Sequence, residues 1–258
     1  MLRWIQQYLK DRKYKVFLEG EYSTEYTMSS GVPQGSILSP TLFNVMMSSI
    51  PHCTEVSMSE YADDILIYSS SSNIQDVTKN IQKQINLLVK WFENWGFRLN
   101  ENKTKAMMMT LKRIDTPKIN ISNTPIEFVD KYKYLGMIID GPRLSWASHI
   151  KTITEKCIPK VNLMKAISNH HWGADRDTLD KIYKSLVRSL IDYGSMFYST
   201  ASATNLNTLN KIQNNCLRLI LGARKTSPII SLEVESHIPP LHIHRNSVMI
   251  NNLSLIHI

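Results

Sequence analysis

Tyr61-Ala62-Asp63-Asp64-Ile65-Leu66-Ile67-Tyr68 is the stretch that decides how this chain is read. Two adjacent carboxylates interrupt a short apolar run, and inside a core their charge is costly unless something compensates it. On a continuous strand neighbouring side chains point to opposite faces, so the pair could not converge. At a tight hairpin turn both can sit at one exposed edge. Oxygen donors gathered there suit Mg²⁺ (or Mn²⁺), which keeps several waters and is shared with substrate phosphates. Two such ions about 4 Å apart activate an attacking hydroxyl and stabilise a leaving pyrophosphate. The plainer alternative is an Asp-Asp turn between two ordinary strands.

Upstream, Ser30 to Ser36 is a Gly/Pro loop, after which Ser39 as N-cap and Pro40 at the first helical position open a helix. Its Leu42, Phe43, Met46, Met47 and Ile50 face inward, and Pro51 stops it. Before the loop, a helix end (Trp4, Ile5, Tyr8, Leu9) leads into alternating Tyr14, Val16 and Leu18, a turn at Gly20-Glu21 and a return strand from Tyr22 to Met28. Downstream, Ile74, Val77, Ile81, Ile85, Leu88, Phe92 and Trp95 form one helical stripe closed by Gly96. Short strands follow at 105–110, 118–121 and 132–139, then Gly141-Pro142, then helices near 146–168, 177–193 and 204–221, with Pro159 able to kink the first. The boundary between a strand-bearing part, 1–140, and a helical part, 141–258, falls there.

The chain has 258 residues, 43% of them hydrophobic and 20% charged, enough to bury a core and too apolar for wholesale disorder. Cys53, Cys157 and Cys216 stand far apart in no CxxC pattern, against a disulfide framework or a cysteine zinc site. No secretory signal is visible, and the longest uncharged stretch, 26–54, is broken by glycine and proline, so no membrane span is expected. The expected setting is reducing and intracellular, nuclear and cytoplasmic. Net charge is +8, which suits a polyanionic partner. Residues 1–140 carry 16 Lys and Arg against 15 Asp and Glu, whereas residues 141–258 carry 14 against 7. Almost all the excess lies in the helical part.

Four segments in order resemble the sequence boxes of reverse transcriptases. Tyr61-Ala62-Asp63-Asp64 resembles the Y-A-D-D box, and Gly31-Val32-Pro33-Gln34-Gly35-Ser36-Ile37-Leu38-Ser39-Pro40 with Leu42-Phe43-Asn44 resembles the G-V-P-Q-G-S-x-L-S-P-x-L-F-N box. Trp95-Gly96-Phe97-Arg98-Leu99-Asn100 with Lys103-Thr104, and Tyr134-Leu135-Gly136, resemble the next two. Ser145-Trp146 with His149, Asp192-Tyr193-Gly194 and the run from Ile212 to Ala223 resemble the region after the palm in non-LTR retrotransposons, especially the jockey-like group. The similarity covers about residues 1–245.

The resemblance implies an α+β chain: a partial polymerase palm (an antiparallel sheet flanked by helices) over 1–140, then an all-α thumb-like region over 141–258. It implies RNA-templated addition of deoxynucleotides to a DNA primer 3′ end, with Asp63 as main metal ligand and Asp64 its helper. Gly31, Pro33, Gln34, Gly35 and Tyr61 would line the pocket for templating base and incoming nucleotide. On their own terms the two glycines and the proline make a rigid loop that a flat base can approach, and Gln34 offers both donor and acceptor. A plain helix-entry loop is the alternative. Lys103 would face the leaving pyrophosphate, or is a solvated lysine beside Lys105. Leu135-Gly136 would contact the primer end, or Gly136 is a bulge in a core strand.

Lys181, Lys184 and Arg188 share one helical face, either solvated or placed for phosphate contact; Lys211, Arg218, Arg224 and Lys225 form a second basic group. The Met107-Met108-Met109 run and the Trp91/Trp95 pair are assigned to packing. His170-His171 and His242-x-His244 lack a carboxylate or cysteine partner at ligand spacing, so zinc is not expected. A complete reverse transcriptase also carries fingers and an F-x-D-x-x-x-A-F-D type segment with the first catalytic aspartate, and no stretch here matches it. The expectation is a partial chain, whose non-enzymatic alternative is an inactive nucleic-acid-binding remnant.

Overall fold

The computed structural model describes residues 2–28, 30–141, 143–169 and 172–256, with side chains through residue 252. Pro142, the His170-His171 pair and the apolar ending over 253–258 lie outside the residues whose side chains are described. The chain is α+β and divides into two compact units, Met1–Thr104 with Pro117–Ile126, and Lys105–Thr116 with Glu127–Ile258.

In the first unit α1 (Leu2–Leu9) leads into β1 (Arg12–Tyr14), β2 (Phe17–Leu18), β3 (Glu21–Tyr22) and β4 (Tyr26–Met28). β1 pairs antiparallel with β4, and β2 with β3. The hairpin turns at Glu19-Gly20, with φ of 50° and 91°, one residue earlier than expected because a two-residue turn of this hand needs positive φ at both positions. Next come α2 (Ser39–Met47), β5 (Ser57–Tyr61), β6 (Asp64–Tyr68) and α3 (Ile74–Asn94). The Asn73 side chain accepts the Gln75 N–H at 3.0 Å and caps α3, and Gly96 at φ 75° follows its end. Met47, Ile50 and Leu88 form a buried core, against which Phe43, Met58, Ile65, Ile67 and Trp91 pack. Trp95, tilted on Trp91, stays half exposed rather than joining that core.

The chain then forms β7 (Lys105–Ala106), β8 (Asn120–Ile121), β9 (Thr124–Pro125) and β10 (Glu127–Phe128). β8 and β9 are a small hairpin of the first unit, tied to α3 by Gln82, which donates to the Asn120 carbonyl and accepts its N–H, both at 2.8 Å. β7 and β10 pair in parallel in the second unit. The strand expected over 105–110 is thus only two residues long, because β10 offers no longer partner. Met107 and Met108 are half-buried, but Met109 is exposed, which corrects its assignment to packing.

β11 (Lys131–Tyr134) and β12 (Met137–Asp140) are antiparallel, so the segment read as one strand over 132–139 is a hairpin. The helices follow the expected spans: α4 (Ala147–Ile167) runs through Pro159, and α5 (Arg176–Ile182) continues as a π-helical stretch, Tyr183–Arg188, into α6 (Ser189–Asp192). Then come α7 (Ser195–Tyr198), α8 (Ala203–Leu221), α9 (Ile229–Ser236) and α10 (Leu241–Ile256). Cys157, Tyr183, Val187, Leu209 and Leu217 are fully buried among them. Two buried polar side chains there are linked in a chain: Tyr183 Oη donates to Gln213 Oε1 at 2.6 Å, and Gln213 Nε2 donates to the Pro239 carbonyl at 3.1 Å. All three cysteines are buried and free; burial pushes the Cys157 thiol up to about 11 and that of Cys216 up to about 12.

Candidate active site

The Asp pair sits where the hairpin reading placed it. β5 and β6 pair from Ser57 opposite Tyr68 to Tyr61 opposite Asp64, leaving Ala62 and Asp63 as the turn. Residues directly opposite share a face, so Met58, Ile67 and Ile65 lie on the side that packs against α2 and α3. Tyr61, Asp64, Leu66 and Tyr68 lie on the other side, which is exposed; Tyr61 is 65% exposed. Both carboxylates are exposed as well, so neither carries the desolvation cost of an unpaired buried charge. Ala62 takes φ 53°, a left-handed conformation that costs a non-glycine residue about 1 kcal/mol or more. The strain is held by the five-residue ladder behind it.

The loop before α2 is fastened from three sides. The Arg12 guanidinium donates to the Gly31 carbonyl, the Tyr8 hydroxyl donates to Ser36 Oγ, and the Ser39 hydroxyl donates to the Pro33 carbonyl. Ser39 is therefore the first residue inside α2, with Leu38 at the cap position; its side chain ties back the loop instead of capping the helix. Gly31 and Gly35 take φ of 81° and 83°, and a Cβ at either would meet nothing within 4 Å. Backbone conformation, not crowding, is what calls for glycine here. Gln34 is exposed at the tip and Pro33 half-buried beneath it. Tyr8 and Arg12, the loop's outside anchors, were not among the expected site residues; their only sequence signal is an i, i+4 spacing.

Lys103 is exposed in the turn after α3, where its N–H meets the Asn100 carbonyl and side-chain oxygen at 3.2 and 3.1 Å. In the second unit Leu135 and Gly136 are the two turn residues of the β11–β12 hairpin, at φ 45° and 80°. Gly136 is thus a turn residue and not a bulge in a strand. The hairpin base is fixed to α4: Asp140 Oδ2 accepts the Ser148 N–H at 3.0 Å, and His149 Nδ1 accepts the Ile138 N–H at 3.3 Å. That acceptor role needs a neutral imidazole, and burial above all, with Lys156 adding to it, lowers the His149 pKa against the pull of Asp140.

The basic face on α5 and its continuation is not a single face. The π-helical stretch widens the turn, so residues beyond it shift around the axis. Lys181 and Lys184 are exposed, the latter paired with Asp180 at 2.7 Å. The Arg188 side chain is only 11% exposed and points at Asp192, 3.7 Å away, which corrects its grouping with the two lysines. His244 also meets Asp192, at 2.9 Å. Among the described residues no three His, Cys, Asp or Glu side chains come together as a metal cluster, and no helix is long and apolar enough to cross a membrane.

The first unit thus carries an exposed hairpin tip bearing adjacent aspartates and a glycine-fixed loop that opens a helix. Residues 1–139 match the reverse transcriptase (RNA-dependent DNA polymerase) family, and the chain belongs to that family. It is similar to the RNA-directed DNA polymerase from mobile element jockey of Drosophila melanogaster, 29% identical over 245 residues, covering 92% of this chain and 27% of that protein. The protein of the same description from Drosophila funebris is 28% identical over 252 residues, covering 93% of this chain and 27% of its own length. The chain thus spans about a quarter of the length of these relatives. No solved structure matches it. The family uses divalent metal ions.

Proposed function

We propose that this chain is the palm and thumb portion of a non-LTR retrotransposon RNA-directed DNA polymerase, adding deoxynucleotides to a DNA primer on an RNA template. The observation that carries this reading is the β5–β6 hairpin, whose apolar face is packed and whose tip holds Asp63 and Asp64 in solvent. Residues 1–140 serve as the palm part and 141–258 as the thumb-like part.

Asp63 and Asp64 fit a hard divalent cation, Mg²⁺ or Mn²⁺: their donors are oxygens, exposed, and leave most of an octahedral shell to water and phosphate. Bound there, the metal would supply Lewis-acid polarisation of the phosphoryl oxygens and lower the pKa of the primer hydroxyl. The rest of the work belongs to the chain. Gly31, Pro33, Gln34, Gly35 and Tyr61 hold the templating base and incoming nucleotide against backbone and ring. Lys103 supplies a positive charge for the departing pyrophosphate. The Leu135-Gly136 turn orients the primer end, while Lys181 and Lys184 meet backbone phosphates.

Two carboxylates alone should bind metal weakly, in the absence of substrate phosphates. Titrating Mn²⁺ into residues 1–258 is expected to broaden the NMR signals of residues 61–66 first, and Asp63→Asn should remove that selectivity. Equal broadening in the wild type and Asp63→Asn would remove the metal role.

A further inference from the structure

The Leu135-Gly136 turn is held from outside its own hairpin. Tyr193 Oη donates to the Leu135 carbonyl at 2.6 Å, 58 positions away in sequence. The same ring covers Gly136 so closely that a Cβ there would lie 3.2 Å from Tyr193 Cε1 and from its hydroxyl oxygen. Leu135 sits at φ 45°, a conformation a leucine resists, so a hydrogen bond from outside the hairpin helps to hold the turn.

Tyr193 is itself firmly mounted. Asp192, before it, meets Arg188 and His244, while the buried Tyr198 hydroxyl donates to the Ile191 carbonyl. Gly194, after it, takes φ 67°, a conformation that strains any other residue, and packs on Met137, whose Sδ would lie 2.6 Å from a Cβ there. The arm is thus locked on both sides, which is what precise placement of a contact requires.

The bond also changes what the turn presents. A two-residue hairpin loop commits neither of its own N–H groups to the ladder. Tyr193 donates to the Leu135 carbonyl and so offsets part of the negative charge of an acceptor that would repel a phosphate.

We propose that Tyr193 is a positioning residue for the primer 3′ end, acting through the Leu135-Gly136 turn on the terminal phosphate of the primer without touching the reacting atoms. This rests on the reading of that turn as the primer contact. The test uses residues 1–258 and a DNA primer with a photoreactive 3′-terminal nucleotide, annealed to an RNA template at saturating protein. It maps crosslinks onto residues 134–137 and follows amide hydrogen exchange of residues 135–137 without nucleic acid. Tyr193→Phe deletes one oxygen and keeps the ring. Loss of a hydrogen bond of about 1 kcal/mol corresponds to a roughly fivefold change in an equilibrium. The variant is expected to exchange the turn amides about fivefold faster and to crosslink several-fold less, with primer–template affinity within twofold. Crosslinking and exchange equal to wild type in Tyr193→Phe would overturn the role of Tyr193 alone. If wild type itself gave no crosslink at 134–137, the primer reading of the turn would fall, and the positioning role with it.

Discussion

Residues 1–258 expressed by themselves are expected to add no nucleotide to a primer above background. The same residues, preceded in cis by the segment that stands before the matched region in a jockey relative, are expected to extend it. Phosphoryl transfer gains most of its rate from preorganised charge around the transferring group, and from holding the reactants in line. In this chain the β5–β6 tip offers two carboxylates, and no third metal-binding side chain joins them among the described residues. Loss of one fixed electrostatic contact typically costs about 10²–10³ in rate. Orienting the nucleotide in line is a further requirement, so a site short of one fixed metal ligand is expected to fall below detection. A labelled primer on an RNA template, resolved by length, measures this. Robust extension by residues 1–258 alone would mean that another carboxylate completes the site.

Replacing Gln84 by Ala is expected to destabilise the first unit by about 3 kcal/mol, since each buried backbone group left unpaired costs about 1–3 kcal/mol. Gln84 is fully buried on α3; its Oε1 accepts the Cys53 N–H at 2.8 Å and its Nε2 donates to the Pro51 carbonyl at 2.7 Å. It thereby pins to α3 the segment that turns the chain from α2 toward β5, and so supports the strand leading to Asp63. Amide exchange along α3 should quicken by about two powers of ten, at 1.4 kcal/mol per power of ten. Gln84→Met, which restores volume but not polarity, should recover little. A loss under about 0.5 kcal/mol in both variants would show that those backbone groups find other partners.

Much of this is written locally in the sequence. The stripe from Ile74 to Trp95 foretells α3 to within a residue or two, and the three later helices follow from the same periodicity. The Asp pair could be placed at a turn because alternation leaves a strand no other way to bring neighbours to one edge. Gln84 was legible too, in hindsight: it stands on the apolar stripe between Ile81 and Leu88, where a polar side chain needs buried partners.

What escaped local reading depends on distant chain. Tyr132 to Ile139 is a mostly apolar run that reads as one strand, and Leu135 is a poor turn former; Tyr193, which donates to its carbonyl, stands 58 positions away. Arg188 lies seven positions after Lys181, a regular helical spacing, but the π-helical stretch between them breaks that register. The loop at 31–39 could be read as glycine-fixed, whereas its anchoring by Tyr8 and Arg12 could not, since neither residue type announces a partner 28 or 19 positions away.

The central claim is that the tip of the β5–β6 hairpin is the metal-binding point of a polymerase palm. It is tested most directly by single-turnover primer extension in Mg²⁺ with the cis-completed polypeptide, comparing wild type with Asp63→Ala. The expected result is a loss of at least about a thousandfold in rate, in line with removal of a fixed charge at the reacting phosphoryl group, with primer–template affinity within twofold. Extension by Asp63→Ala at a rate near that of the wild type would contradict it.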